Sequence, residues 1–152
     1  MGRVDKMRFF IRKVNGKSSA IESTLLDLQK EILPSDVPLS PKCGHWWIAY
    51  LDAGKPVGFC SVARSATWHN AGYLCRAGVL DAYTGHALQK RLIQVRIRKA
   101  LDLGWNWLIT DTTNNPASSN SLINCGFKIY KPRNPWANKD SIYWRLNLRD
   151  KP

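Results

Sequence analysis

Residues 79–90 read Val-Leu-Asp-Ala-Tyr-Thr-Gly-His-Ala-Leu-Gln-Lys, and they join a strand-forming run to the start of a long helical pattern. The first backbone N–H groups of a helix have no partner within it and lie at the positive end of its dipole. Gly85 and Ala87 keep bulky side chains away from these groups, and Lys90 and Arg91 add positive charge. The stretch therefore predicts a binding site for a pyrophosphate group. An ordinary helix start is the alternative, because strand–loop–helix junctions are common.

Hydrophobic periodicity on both sides of this stretch predicts the order of the elements. Upstream, it predicts a helix from Ser18 and Ser19 to Pro34 and strands over residues 7–14, 45–51, 56–67 and 73–80. Downstream, it predicts helices over 85–103 and 116–125 and strands over 105–110, 127–130 and 141–148. The order β-α-β-β-β-α-β-α-β-β predicts an α+β fold with a mixed central β-sheet flanked by helices. The second to fourth strands should form an antiparallel meander, and the strand–helix–strand unit after them implies a local parallel pairing.

The long helix carries apolar and cationic residues at different positions. Its predicted buried face consists of Leu88, Leu92, Val95 and Leu103, supported by Ile93, Ile97 and Ala100. The rest of its surface is predicted to carry the cations Lys90, Arg91, Arg96, Arg98 and Lys99. The strand before it is apolar apart from Arg76, so we expect that strand to be buried on both faces.

The composition favours one domain and anionic partners. A chain of 152 residues with 44% hydrophobic content suits a single domain over residues 1–152. Lysine and arginine number 23 against 11 acidic residues, which gives a net charge of +12. This excess favours a nucleic acid, an acidic protein surface or a polyphosphate cofactor. A solvated basic surface that aids solubility is the alternative.

The cysteines and the start of the chain bear on compartment and metal binding. Cys43, Cys60, Cys75 and Cys125 form no C-x-x-C pair and have no histidine at metal-ligand spacing, so no metal is expected. The first six residues lack the apolar stretch of a signal peptide. No run approaches the ~20 apolar residues that span a membrane. These observations predict a cytoplasmic protein without a membrane partner.

A second motif lies near the C-terminal end. Asn115, Pro116, Ala117 and Ser118 start a short helical pattern, and Gly126-Phe127 follows at a spacing of eleven residues. A side-chain amide at a strand end offers a ligand both a donor and an acceptor. The alternative role for Asn115 is a helix N-cap, for which asparagine is well suited.

The two motifs and the element order together resemble the GNAT N-acetyltransferase superfamily over residues 7–148. Its cofactor signature, Q/R-x-x-G-x-G/A, aligns with residues 84–89. Thr84, Ala87 and Gln89 depart from it. Residues 85–93 (Gly-His-Ala-Leu-Gln-Lys-Arg-Leu-Ile) are closely similar to a version that reads R-G-H-G-L-Q-x-R-L-I.

The resemblance implies acetyl-CoA as co-substrate and an amine as acceptor. The pantetheine arm would lie as a pseudo-strand in a gap between the strand at 73–80 and the strand at 105–110. An acceptor amine would attack the thioester directly, with much of the rate coming from positioning and desolvation. The implied cofactor-binding residues are Ala77, Gly78, Val79, Thr84, Gly85, His86, Ala87, Leu88, Gln89, Lys90, Asn115 and Ser118.

The residues that usually transfer protons in this family are missing. Leu122 stands where many members have a tyrosine acid, and Tyr73 lies near the position of a glutamate base. No catalytic residue is therefore assigned. Asp81, Asp111, His69 and Tyr130 lie near the predicted active edge, although a lone histidine or aspartate at a strand end is more often structural. Among the tryptophans, Trp136 is the best candidate for an acceptor pocket, because it lies in a loop.

Three functions follow from these observations. The first is acetyl transfer from acetyl-CoA to an amine of a protein or small molecule. The second is a catalytically weakened binding module that contacts an acidic or nucleic-acid partner, which the departures at Thr84, Ala87 and Leu122 favour. The third is an RNA-directed acetyltransferase, which would combine the basic charge with the enzyme fold.

Overall fold

A computed structural model describes residues 7–52 and 54–150. Its strands are β1 (Phe9–Val14), β2 (His45–Leu51), β3 (Lys55–Arg64), β4 (Ala71–Val79), β5 (Trp107–Thr112), β6 (Lys128–Tyr130) and β7 (Ile142–Asn147). Its α-helices are α1 (Ser19–Ile32), α2 (Leu88–Asp102) and α3 (Pro116–Asn124), and short 3-10 turns cover Asp81–Tyr83 and Leu148–Asp150. The predicted order of strands and α-helices is confirmed. The single-domain organisation over 1–152 stays a prediction, and the ends of that range lie outside the described residues.

The described strands form one mixed sheet in the order β1-β2-β3-β4-β5-β7-β6. Strands β1 to β4 pair antiparallel in sequence order, which confirms the predicted meander. Strand β5 pairs parallel to β4, as the strand–helix–strand unit requires, and β7 pairs antiparallel to both β5 and β6. The mixed α+β fold predicted from the sequence is therefore confirmed.

The sheet has an apolar core on each face. Successive residues of a strand face opposite sides, so neighbours in β2 separate into different cores. Trp46 packs in a core with Leu25 and Leu28 of α1, whereas Trp47 packs in a core with Leu88 and Leu92 of α2. Helix α1 therefore covers one face of the sheet and α2 covers the other. Each such buried side chain contributes roughly 1.5–3 kcal/mol to stability.

The buried face of α2 differs from the prediction at three positions. Val95 is half-buried, and Leu103 lies beyond the last helical residue with 41% of its surface exposed. Arg96, predicted to be on the cationic surface, is only 4% exposed. Its spacing explains this, because it follows Leu88 and Leu92 at intervals of four residues and shares their face.

Two further predictions were wrong. The first helical residue of α2 is Leu88 and not Gly85, because Gly85 (φ 84°) and Ala87 (φ 59°) adopt left-handed backbone angles that end any continuous helix. Strand β4 is not buried on both faces, since Cys75, Arg76 and Ala77 are partly exposed to a cavity. In the turn predicted at 52–55, Ala53 lies outside the described residues. Among the described residues, no helix is long and apolar enough to cross a membrane.

Candidate functional site

Strands β4 and β5 diverge after a short parallel contact. Their pairing covers residues 71–73 and 107–109 and ends at Tyr73 and Ile109, although β4 continues to Val79 and β5 to Thr112. Opposite this point β4 contains an extra residue, because Cys60 pairs with Ala77 while Val62 pairs with Leu74. Such a bulge bends the strand that carries it. The backbone of β4 beyond Tyr73 is therefore left without β5 as a neighbour.

A cavity of about 250 Å³ fills this gap and reaches both faces of the sheet. Leu33 and Asp36, which follow α1, line one side of it, and Ile93 of α2 and Leu122 of α3 line the other. Because α1 and α2 cover opposite faces, the cavity passes through the sheet. Its remaining wall residues are Leu74, Cys75, Arg76, Ala77, Gln89, Arg96, Thr110, Asp111, Thr112, Thr113, Asn115 and Ser118.

A second cavity, of about 320 Å³, lies at the start of α2. It is lined by Val79, Thr84, Gly85, Ala87, Leu88, Gln89 and Lys90, with Ala117, Ser121 and Asn124 of α3 opposite. Gln89 lines both cavities, so together they make a path from the start of α2 into the gap. The path starts at Val79 and runs along β4 to Leu74.

The structure brings ten of the twelve predicted cofactor residues to this path. The first cavity is lined by Ala77, Asn115 and Ser118, and both cavities are lined by Gln89. The second cavity is lined by Val79, Thr84, Gly85, Ala87, Leu88 and Lys90. His86 lines neither and instead lies 5.2 Å from the ring of Phe9, measured between ring centroids. Gly78 also lines neither, and a Cβ atom there would come within 2.5 Å of the Ile32 side chain. Close packing of α1 on β4 is therefore the structural reason for this glycine.

The start of α2 suits an anion. Ala87 is its N-cap residue and makes no side-chain capping bond, and no acidic residue occupies the first turn. The first intrahelical bond runs from the N–H of Arg91 to the carbonyl of Ala87, so the earlier N–H groups have no helical acceptor. A positive dipole end, open N–H groups and Lys90 together favour a phosphate-bearing ligand.

Asn115 acts as the N-cap of α3. Its Oδ1 accepts a hydrogen bond from the backbone N–H of Ser118 at 3.1 Å, and Pro116 occupies the first turn. This is the alternative role weighed from the sequence. The bond fixes the amide at the wall of the through-sheet cavity and leaves its N–H₂ group available to a ligand.

Of the four groups considered for proton transfer, Asp111 is the one that lines the path formed by these two cavities. Its Oδ1 accepts hydrogen bonds from the hydroxyl of Tyr73 at 2.6 Å and from the indole Nε1 of Trp136 at 3.3 Å. Burial raises the pKa of Tyr73 well above its usual range, and the bond to Asp111 raises it further. Tyr73 therefore stays protonated at neutral pH and serves as a donor, not as a base.

The other three groups lie away from the cavity. His69 is exposed in the turn between β3 and β4, and Asp81 is exposed in the 3-10 turn after β4. Tyr130 lies among aromatic rings, 5.5 Å from Trp68 and 6.5 Å from Trp136 between ring centroids. Burial raises the pKa of Tyr130 to about 12. Among the described residues, no group of three histidine, cysteine, aspartate or glutamate side chains is arranged to hold a metal ion.

Sequence patterns alone did not identify several of the wall residues. Arg96 could have been found from its spacing with Leu88 and Leu92, which predicts a shared face. Asp36 could not, because it lies in an irregular segment after α1. The hydrogen bonds among residues 73, 111 and 136 join parts of the chain that no local pattern connects.

Comparisons with known proteins agree with this architecture. The model of the acetyltransferase (GNAT) family matches residues 18–127. Among curated protein sequences, none matches this chain. Solved structures are similar in fold, at identities that carry no information beyond the fold.

Three of these structures span nearly the same length as this chain. A Salmonella typhimurium protein with its cofactor acetyl-CoA is 13% identical, with a TM-score of 0.75 and coverage of 93% of this chain and 95% of that one. The ribosomal-protein-S18-alanine N-acetyltransferase from Escherichia coli is 15% identical, with a TM-score of 0.69 and coverage of 93% and 94%. An acetyltransferase of the GNAT family from Staphylococcus aureus is 17% identical, with a TM-score of 0.69 and coverage of 91% and 99%.

Proposed function

The chain belongs to the GNAT acetyltransferase family and is an acyltransferase, and we propose that it transfers the acetyl group of acetyl-CoA to an amine of a protein or small molecule. The observation that carries this proposal is the cavity that passes through the sheet between β4 and β5. It offers a cofactor arm one entrance and an acceptor the other. The two reactants can then meet inside the sheet, away from bulk water.

The pyrophosphate of acetyl-CoA would bind at the start of α2. The open N–H groups after Ala87 and the charge of Lys90 support this placement. The pantetheine arm would then follow the path past Gln89 and lie against β4 at Ala77, on the edge that β5 leaves uncovered. The thioester would reach the part of the cavity lined by Leu74, Cys75 and Leu122.

Direct attack in a ternary complex requires few dedicated side chains. The acceptor nitrogen forms a bond to the acetyl carbonyl carbon, the bond from that carbon to sulfur breaks, and a proton ends on the CoA sulfur. Leu122 offers no proton to that sulfur, and Tyr73 cannot act as a base at neutral pH. Positioning and desolvation in the cavity therefore supply most of the proposed rate enhancement.

The second candidate is a binding module of weakened activity that contacts an acidic or nucleic-acid partner. Leu122 and the strained Ala87 favour it, as does the net charge of +12. An RNA-directed acetyltransferase is a variant of the leading proposal, and the net charge of +12 favours it as well. We also propose a cytoplasmic location, because Cys60 and Cys75 lie as thiols within strands, as is usual in a reducing compartment.

A titration of melting temperature with acetyl-CoA tests the leading proposal. We expect acetyl-CoA to raise the melting temperature with saturation, because a ligand that binds only the folded state stabilises it. Adenosine 3′,5′-bisphosphate provides a control that lacks the pantetheine arm and should bind more weakly. A screen of amine acceptors by mass spectrometry should then detect a gain of one acetyl group. A folded protein whose melting temperature does not change with acetyl-CoA would favour the binding module.

A further inference from the structure

The carboxylate of Asp111 lies on the face of the sheet that α1 covers. In β5, Leu108 packs in the core under α2, and the hydroxyl of Thr112 bonds to Ser119 of α3 and accepts from Trp144 in that same core. Because side chains alternate along a strand, Asp111 faces the opposite side. It lines the through-sheet cavity at that entrance, which the cofactor path along α2 does not use.

Two neutral donors from separate parts of the chain hold this carboxylate. The hydroxyl of Tyr73 in β4 and the indole of Trp136, between β6 and β7, both donate to the same oxygen, Oδ1. Among the residues that the structure describes, none donates a hydrogen bond to Oδ2. Trp136 is itself fixed by an edge-to-face contact with Tyr143, with ring centroids 4.6 Å apart.

No cation of the described chain neutralises Asp111, although the protein carries a net charge of +12. Two cations line the cavity wall, but Arg76 contacts Asp36 at 4.0 Å and donates to the carbonyl of Val37, and Arg96 donates to backbone carbonyls. A partly buried carboxylate that lines a cavity and has one oxygen without a donor is a strong acceptor for a charged donor. Its complement is a group with N–H donors and a positive charge.

We propose that Asp111, held by Tyr73 and Trp136, binds the protonated primary amine of the acceptor and positions it at the cavity. This rests on the proposed function for the identity of the acceptor as an amine. Leu33, which lines the same cavity and packs against the core under α1, suits the alkyl carbons next to the ammonium, so the ligand class is a primary alkylammonium. Asp111 is an anchor and takes up no net proton.

The ammonium must lose one proton to solvent before it can attack the thioester. The neutral nitrogen then forms the amide bond as the carbon–sulfur bond breaks, and its next proton ends on the CoA sulfur. Tyr73 and Trp136 position the carboxylate and do not take part in these steps. The structure therefore separates acceptor binding, which Asp111 performs, from deprotonation, which is left to water.

Binding of n-butylammonium at neutral pH provides a test that does not depend on turnover. The indole N–H resonance of Trp136 in a ¹H–¹⁵N spectrum, assigned by its loss in Trp136→Phe, is the local probe. We expect butylammonium to shift it with saturation and n-butanol to leave it nearly unchanged. Asp111→Asn keeps an oxygen for the two donors but removes the charge, and should weaken butylammonium binding at least tenfold. Asp102→Asn, at the exposed end of α2, is the matched control and should bind as the unaltered protein does.

The outcomes separate this proposal from the proposed function. Equal binding of butylammonium and butanol, or full affinity in a folded Asp111→Asn protein, would overturn the role of Asp111. If Asp111→Asn fails to fold, Tyr73→Phe takes its place and should weaken butylammonium binding severalfold, and unchanged affinity there counts against the proposal. Failure of acetyl-CoA to bind would contradict the proposed function alone, because the butylammonium measurement needs no cofactor.

Discussion

The guanidinium of Arg96 donates a hydrogen bond to the backbone carbonyl of Ser61 at 3.3 Å, and so ties α2 to β3 where that strand faces the bulge of β4. Its Nε donates to the carbonyl of Leu92 at 3.0 Å. Among the described residues, no carboxylate forms an ion pair with it. Burial lowers the pKa of this guanidinium, as expected for a cation removed from water without a counter-charge.

We expect Arg96→Met to be nearly neutral or stabilising. Methionine keeps much of the buried volume and removes a desolvated charge that no carboxylate of the described residues compensates, which favours the folded state. Arg96→Ala should instead destabilise the protein by about 2 kcal/mol or more, because it leaves a cavity. Urea unfolding of both variants measures the difference. Equal losses in the two variants would mean that the charge and its bonds stabilise the fold.

Gly85→Glu should abolish acetyl-CoA binding while the protein stays folded. A carboxylate there would repel the pyrophosphate at the start of α2. Gly104→Glu is the matched control, since both glycines have positive φ (84° and 74°) and no atom within 4 Å of an added Cβ. The two variants share the same strain and differ in position. Calorimetric titration should show cofactor affinity lost only in Gly85→Glu, and an undiminished affinity there would exclude this phosphate site.

Ala87→Gly should stabilise the protein. Alanine at φ 59° carries a left-handed strain of about 1–2 kcal/mol, and the greater freedom of glycine in the unfolded chain offsets about 0.4–1 kcal/mol of it. The expected net gain is roughly 0.5–1 kcal/mol, measured by urea unfolding. Ala20→Gly, inside α1, is the comparison and should lower stability. A loss at both positions would contradict the left-handed conformation of Ala87.

Asn115→Asp separates capping from cofactor binding. Aspartate keeps an oxygen for the N–H of Ser118 and is an equally good N-cap, so the free energy of unfolding should hardly change. It loses the N–H₂ donors, which should weaken acetyl-CoA binding by about 1–3 kcal/mol if they pair with the cofactor arm. Asn115→Ala should add a stability loss of ~1 kcal/mol. Full cofactor affinity in Asn115→Asp would leave Asn115 with the capping role only.

Turnover should rise with pH when a lysine-like amine is the acceptor. Such an amine has a pKa near 10 and is almost wholly protonated at neutral pH, so its reactive fraction grows roughly tenfold per pH unit. The raised pKa of Tyr73 keeps its hydroxyl protonated throughout this range, so the ionisation of Tyr73 does not add to the dependence of the rate on pH. An α-amine, with a pKa near 8, should be the better acceptor at neutral pH.

The measurement is kcat/KM for both amines as a function of pH. A bell-shaped profile with a base titrating near pH 6–7 would contradict the prediction that no side chain of the protein acts as a general base. Substitution of Asp111, the candidate that lines the through-sheet cavity, would then test the group, and a shift of that limb in Asp111→Asn would make Asp111 a base as well as an anchor.

The sequence was sufficient to predict the fold because local periodicity determines it. The apolar runs of β2 and β3 are typical of strands and are buried on both faces, and the spacing of Leu88 and Leu92 defines the buried face of α2. Parallel pairing of β4 and β5 then follows from the helix between them. The open start of α2 belongs to one continuous stretch of the chain and could be predicted for the same reason, and its role as a pyrophosphate site stays a prediction.

What the sequence did not predict depends on long-range geometry. The left-handed Ala87 shortens α2, and alanine gives no local signal for that conformation. The contact of Tyr73 with Asp111 joins two strands whose register is set by the whole sheet. The burial of Arg96 runs against the usual exposure of arginine, and only its helical spacing from Leu88 and Leu92 indicates it.

The extra residue in β4 interrupts the β3–β4 pairing and so lowers the stability of the sheet, but it leaves room for a ligand between β4 and β5. Deleting either Cys75 or Arg76 would let Ser61 pair directly and give β3 and β4 an uninterrupted ladder. A regular β4 would bend less and keep β5 beside it for longer, so backbone bonds would fill the space now left to a ligand. We expect the shortened chain to have a higher free energy of unfolding and a closed sheet without the passage between β4 and β5. One residue of surplus length in β4 thus keeps the passage between β4 and β5 open.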